Sequence, residues 1–244
     1  MRSVVTIVLS AVCVGVPAAA RAGDRDEALA VLNKAIQAHG GAEALDKAAI
    51  RSRSGKGIVA LGGDTRLTSE ETFHFPDRCR LVIDLESNRI VLVLNGVKGW
   101  TQAGGTTQEM SKETLREKQE ELYVWWMMNL TPLLKDEFVL KPLADAKVNG
   151  QDAAVVKVSH RRYPDVRLFF DKKSNLLVKI ARRSTETGVT LDKEYFYSDH
   201  REFDGVKMPT KEVVVLNGKN KMSEVTYNSY KVLPKVEDKL FEKP

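Results

Sequence analysis

Residues 111–134 read SKETLREKQEELYVWWMMNLTPLL, the longest helical pattern in a chain otherwise made of short alternating runs. Ser111, with Thr114 close behind, caps the start; Glu113 favours the positive end of the helix dipole, and Pro132 stops the pattern. The first half is charged on most faces, with Leu115 and Leu122 a heptad apart, whereas residues 123–128 are apolar or aromatic all round. Such a helix end must be covered on every side. Trp125, Trp126, Met127, Met128 and Leu130 give it a greasy, deformable surface. Two readings are open: the plug of a curved sheet's core, or a lid that closes an apolar cavity. If it is a lid, Trp126→Glu weakens ligand binding far more than folding; equal loss of both returns Trp126 to the core.

Outward from this helix the hydrophobic period changes to two. Residues 57–61 and 65–75 flank a Gly62-Gly63-Asp64 connection, followed by strand patterns over 80–85, 89–94 and 97–101. A Gly104-Gly105 loop leads into the helix. Beyond it, strands are predicted over 138–140, 153–160, 166–171, 176–184, 190–197, 206–216 and 221–232. Three Asn-Gly dipeptides at 95–96, 149–150 and 217–218 each sit at a strand junction, so neighbours are antiparallel and joined locally. Upstream, residues 24–39 form an amphipathic helix with a stripe of Ala28, Leu29, Val31, Leu32, Ala35 and Ile36, ended by Gly40-Gly41; a shorter helix covers 42–49. Roughly ten strands with helices on one face predict an α+β fold: a curved antiparallel sheet curled into a barrel or half-barrel. Phe169-Phe170 and Tyr195-Phe196-Tyr197 put aromatics on both sheet faces.

The N-terminus carries Arg2, a short apolar run over 4–16 and an Ala20-Arg21-Ala22 cleavage pattern. Residues 1–22 are therefore predicted to be a secretory signal peptide, leaving one domain over 23–244. The apolar run is short of the roughly 20 residues a membrane span needs, and Val12 before Cys13 argues against lipidation there. Without Arg2 and Arg21 the balance is 36 basic to 33 acidic residues, or +3, too mild to argue for nucleic acid. Cys79 is then the single thiol, a buried small residue, and no intrachain disulfide forms; the envelope of a didermic bacterium fits this usage.

No enzyme signature emerges. His39, His74, His160 and His200 are scattered, and no H-E-x-x-H, paired C-x-x-C, G-x-S-x-G or phosphate loop is present. Neither Glu70-Glu71 nor Glu120-Glu121 is a natural acid/base couple, since neighbours point apart on a strand and lie about 100° apart on a helix. His160-Arg161-Arg162 and Arg182-Arg183 are basic clusters, read as solvated faces or as a patch for acidic lipid heads or an acidic partner. No catalytic residue, cofactor or metal site is expected. The apolar face of the sheet offers Phe73, Phe75, Trp100, Leu115, Leu122, Trp125, Trp126, Met127, Met128 and Leu130 either as core or as the wall of a cavity.

Phe75-Pro76-Asp77-Arg78-Cys79-Arg80 followed by VLVLNGVKGW at 91–100 resembles the x-Pro-x-x-x-Arg strand and strand-turn-Gly-x-x-x-Trp of the outer-membrane lipoprotein-sorting family, the LolA/LolB-like proteins. The runs 197–201, 204–209 and 238–244 are similar to that family's closing strands. The resemblance implies an unclosed antiparallel barrel with helices as plug or lid on its concave face. It also implies a non-catalytic, periplasmic monomer that binds acyl chains of lipids or lipoproteins, with an inner-membrane transporter or an outer-membrane receptor as partner. One departure stands out: the family's lid-locking Arg before the strand proline is Phe75 here, which donates no hydrogen bond. The alternative from another class is an envelope sensor that binds a membrane-protein partner through strand edges or the clusters near Arg161 and Arg182. A hydrolase would require a His and a carboxylate paired in the cavity.

Overall fold

The computed structural model describes residues 19–86, 88–186 and 188–244. Residues 1–18, most of the predicted signal peptide, lie outside the described residues.

Helix α1 (Ala19–Ala38) and helix α2 (Ala42–Lys47) precede six strands: β1 (Ile50–Ala60), β2 (Asp64–His74), β3 (Arg78–Leu85), β4 (Asn88–Asn95), β5 (Lys98–Ala103) and β6 (Thr106–Glu109). Helix α3 (Lys112–Met127) and a 3₁₀ turn (Thr131–Leu134) follow. Seven more strands complete the sheet: β7 (Phe138–Val148), β8 (Gln151–His160), β9 (Tyr163–Asp171), β10 (Leu177–Glu186), β11 (Val189–Phe203), β12 (Val206–Leu216) and β13 (Asn220–Val232). A second 3₁₀ turn, Asp238–Phe241, lies near the C-terminus.

All thirteen strands form one antiparallel sheet in the order β6-β5-β4-β3-β2-β1-β13-β12-β11-β10-β9-β8-β7. The first and last strands pair in its middle, Arg51 opposite Val232, while β6 and β7 remain as the two open edges. This is the expected unclosed half-barrel. The segment joining those edges has to cross from one to the other, and it is α3, about 24 Å long. Chain connectivity thus lays this helix across the concave face.

The predicted turns form as their residues demand. Val148 pairs with Gln151 around Asn149 and Gly150, both at positive φ (49° and 81°), the geometry of a tight type I′ hairpin. At the end of α1, Gly40 is required sterically: a Cβ there would sit 2.1 Å from the carbonyl oxygen of Gly205.

Three differences from the sequence reading have physical causes. The strand β6 was not foreseen because Thr106–Glu109 is polar throughout and half to fully exposed, so no dry face betrays it. The strand β7 runs to Val148 rather than Leu140, carrying Pro142 and a register shift between Leu143 and Ala146; an edge strand tolerates both. Helix α3 is also shorter than 111–134. Ser111 Oγ does accept the Thr114 amide (3.1 Å), but the helix closes at Met127, Leu130 turns to φ 58°, and the 3₁₀ turn with Pro132 near its start takes over. Proline disfavours helical geometry in its predecessor, so the break falls ahead of it.

The main core lies between the concave face and the helices. Ala28, Leu32, Ala35 and Ile36 of α1 join Tyr123, Val124, Met127 and Met128 of α3 over Phe138, Val156, Leu168, Phe170 and Tyr195. The convex face has two smaller clusters. Phe169 and Phe196 belong to one of them, opposite their neighbours Phe170 and Tyr195, as the alternation of strand residues requires.

Candidate functional site

Beneath the middle of α3 the half-barrel is hollow, with a cavity of about 270 Å³. Its roof is Glu117, Lys118, Glu121 and Trp125; positions 117, 121 and 125 follow one helix face. Its floor is a period-two array: Leu67, Ser69 and Glu71 of β2, Cys79, Leu81 and Ile83 of β3, Leu92 and Leu94 of β4, Glu212 and Val214 of β12, and Val225 and Tyr227 of β13. Val59, Lys193, Met222 and Ser223 complete it. The walls are mostly apolar, with ionisable groups gathered toward β11 and β12.

Those groups form two buried knots. In the first, Arg53 Nε donates to Glu71 Oε2 at 2.6 Å, Ser69 Oγ donates to Glu71 Oε1 at 3.0 Å, and the guanidinium lies 4.0 Å from the centre of the Tyr227 ring. Glu212 Oε2 stands 3.8 Å from Arg53 Nη1, beyond hydrogen-bond reach, and has no hydrogen-bond partner. Burial pushes the Glu212 carboxyl up to about 7; Arg53 opposes the shift, and Glu71 and Glu121 add to it.

In the second knot Glu121 Oε2 accepts from Lys193 Nζ (3.0 Å), Arg182 Nη2 (3.2 Å) and the Tyr195 hydroxyl (2.8 Å). Arg182 Nη1 also donates to Glu120 Oε2 at 3.1 Å. Burial alone would raise the Glu121 carboxyl, but Lys193 and Arg182, with hydrogen bonds from Lys193 and Tyr195, hold it at about 2. This knot ties the middle of α3 to β10 and β11. Arg182 therefore points inward and is buried, a correction to its reading as part of a surface cluster with Arg183; only Arg183 faces solvent.

The far end of α3 is clamped differently. Arg51 of β1, fully buried and held near 10 by burial, donates through Nη1 to Asn129 Oδ1 (2.8 Å) and Ala48 O (3.1 Å), and through Nη2 to Trp125 O (3.4 Å). Asn129 Nδ2 in turn donates to Leu45 O at 3.0 Å. The guanidinium lies 4.6 Å from the centre of the Phe75 ring. Phe75 cannot donate, as its sequence position warned, but it supplies an aromatic face for the arginine that does the fastening from the neighbouring strand.

The ten residues singled out in the sequence scatter around this geometry. Trp125 lines the cavity. Phe73, Phe75 and Leu122 form a small cluster with Cys79, Leu81 and Leu94 beside it, and Leu115 packs against that cluster. Met127, Met128 and Leu130 are sealed in the main core, with Trp126 packed on Phe138 at 5.8 Å between ring centres. Trp126→Glu is therefore a probe of packing, and Trp125 inherits the test of binding. Trp100 lies on the convex face, covered by Phe241 of the C-terminal turn, because the β4–β5 register places Gly99 inward and Trp100 outward.

What sequence reasoning missed are Arg53, Glu71, Lys193, Glu121 and Glu212. A signal existed: Glu71 falls in the same strand phase as Phe73, Lys193 in that of Tyr195, and Glu212 in that of Val214. An ionisable residue in the dry phase of an amphipathic strand is costly to bury and needs a reason. No histidine lines the cavity, and Cys79, pushed well up by burial, remains a protonated thiol. Among the described residues no cluster of His, Cys, Asp and Glu suits a metal ion, and no helix is long and apolar enough to cross a membrane.

The fold is similar to those of solved proteins that include a LolA superfamily member. The structure is similar to a LolA superfamily protein from Nitrosomonas europaea (14% identity, TM-score 0.60), covering 88% of this chain and 97% of that one. It is also similar to an outer membrane lipoprotein-sorting protein domain from Vibrio parahaemolyticus (12% identity, TM-score 0.56, 88% and 96% covered). A DUF1329 family protein from Desulfovibrio piger matches comparably (14% identity, TM-score 0.59, 88% and 97% covered). No family model and no curated protein matches the sequence.

Proposed function

We propose that this chain is a non-catalytic binding protein of the bacterial envelope that takes the hydrocarbon chain of a lipid or acylated protein into the hollow under α3. The observation that carries this reading is a mostly apolar cavity roofed by the very helix that links the two open sheet edges. Further support comes from the export pattern at residues 1–22 and from the lipoprotein-sorting domain that shares the fold. At about 270 Å³ the hollow is just below the roughly 300–1,000 Å³ usual for small-molecule sites, so it suits one slender chain and expands if α3 lifts. Delivery to or from a membrane protein belongs to the same reading. The alternative of a partner-binding sensor loses one of its surface cations now that Arg182 is internal.

The test is native mass spectrometry of protein purified from membrane-containing lysate, followed by titration with acyl chains of increasing length. Each CH₂ buried contributes up to about 0.8 kcal/mol, so two added methylenes tighten binding about tenfold until the hollow is full. A clean apo mass with no uptake of a fluorescent fatty acid or lipopeptide refutes the reading.

A further inference from the structure

The cavity is not uniformly greasy, and its polar end bears on which amphiphile it accepts. Besides Glu117 and Lys118 of the roof, four carboxylates and three cations meet around it: Glu71, Glu120, Glu121 and Glu212 against Arg53, Arg182 and Lys193. Glu71 is bonded to Arg53, and Glu120 and Glu121 are bonded to Arg182 and Lys193. The fourth acid, Glu212, is 6% exposed, lines the cavity and presents an Oε2 with no hydrogen-bond partner. An unmatched acceptor buried in apolar surroundings costs free energy that a ligand donor can recover.

We propose that Glu212 marks the head-group end of the site, and that the hollow takes an amphiphile with a cationic nitrogen head, its alkyl chain lying along the apolar floor and its N–H donating to Glu212 Oε2. This deepens the lipid-binding reading above and rests on it.

Two features of the cavity oppose the inverse preference, for an anionic head. Lys193, which borders the hollow on its β11 side, is already bonded to Glu121, and the other lining cation, Lys118 of the roof, is solvent-exposed. Arg53 has an unpartnered Nη2, yet it is stacked on Tyr227 and is not part of the cavity lining. A carboxylate head would therefore meet a site with surplus negative charge. That burial raises the Glu212 carboxyl to about 7 agrees with a carboxylate short of partners, and a bound ammonium would supply one.

The experiment is isothermal titration calorimetry of the mature chain at pH 8 with decylammonium, decanol and undecanoate, which share one ten-carbon chain and differ only in the head. Decylammonium is expected to bind about tenfold more tightly than undecanoate, with decanol between them, and Glu212→Gln should bring decylammonium and undecanoate to about the same affinity. Equal affinities in the wild type, or tighter undecanoate, overturn the proposal while the acyl-binding reading stands. A preference that survives Glu212→Gln in full overturns the assignment to Glu212. No heat with any of the three overturns both readings. The wild-type ranking is read without the variant, so a folding defect in Glu212→Gln, visible as a lost thermal transition, leaves the test of head-group preference intact.

Discussion

The two ends of α3 solve different problems with the same helix. At the C-terminal end Tyr123, Val124, Met127 and Met128 are at most 3% exposed, interlocked with α1 and the strands beneath, and Arg51 fastens the helix exit. Ahead of that end, at its middle, the helix is held by Glu120 and Glu121 on Arg182 and Lys193, and the space between helix and sheet is left unfilled. The aromatic and methionine-rich half, which the sequence leaves open as core or cavity wall, is packed except at Trp125, which reaches the hollow. The charged half roofs the cavity. Apolar density marks where a protein seals itself; ionisable residues embedded in an apolar surface mark where it leaves room.

The largest effect expected from breaking one end and not the other is at Met127. It is fully buried in the sealed core, and Met127→Ala should cost about 4 kcal/mol, lowering the melting temperature by roughly 12 °C as followed by circular dichroism. Acyl uptake by the molecules that remain folded should change less than about twofold. Loss of uptake in proportion to stability would show that the two ends act as one body.

Next in size is Arg51→Met, which keeps the bulk of the stem and removes the donors to Asn129, Trp125 and Ala48. Leaving buried acceptors unpaired should cost about 3 kcal/mol. Hydrogen exchange should locate the loosening at residues 125–131 rather than at the cavity mouth. Uniform loosening along α3 would deny that Arg51 is a local clasp.

Two cavity carboxylates sharpen the comparison through pH, because their environments shift them in opposite directions. Glu121 is held at about 2 in the folded chain against an ordinary 4.5, so it adds stability above pH 4.5 that is lost as pH falls toward 2. Glu121→Gln should cost about 2 kcal/mol at pH 7 and flatten the acid limb of the stability curve. Glu212 runs the other way. With a folded value of about 7, it favours the folded state below pH 4.5, and that advantage fades as pH rises through 7. Glu212→Gln should therefore stabilise the protein at pH 8, by about 1 kcal/mol once relaxation of the site is allowed for, and change little at pH 4. Chemical denaturation at the two pH values separates the signs; destabilisation by Glu212→Gln at pH 8 would mean that the carboxylate is satisfied.

These side chains also show how far the sequence was legible. Period-two patterning, three Asn-Gly junctions and the Ser111 cap were local signals, and the antiparallel half-barrel follows from them. The edge strand β6 was not legible, because its residues bury nothing. Trp100, expected on the apolar cavity face, lies on the convex one, since a register that differs by one residue inverts it. Phe75 marks a position without a donor, but Arg51, which fastens the exit of α3, becomes its neighbour only when β1 pairs with β2 and places Arg51 opposite Phe73. Pairings that span tens of residues leave no imprint on neighbouring letters.

The smallest expected effect tests the same lesson on adjacent residues. Arg182 and Arg183 look alike in sequence, yet successive residues of β10 face opposite sides of the sheet. Arg182 is inside, bonded to two glutamates of α3, whereas the Arg183 side chain is 80% exposed and 3.5 Å from an exposed Asp192. An exposed pair of this kind contributes little after side-chain ordering and salt screening. Arg183→Glu should therefore shift stability by no more than about 0.5 kcal/mol and leave acyl uptake unchanged in a direct titration. Salt should shrink even that difference, since the charges stand in water. A larger, salt-resistant loss would mean that β10 presents Arg183 to the lid, and the division between a dry face that grips α3 and a wet face that carries only solvent-screened charge would fail at this strand.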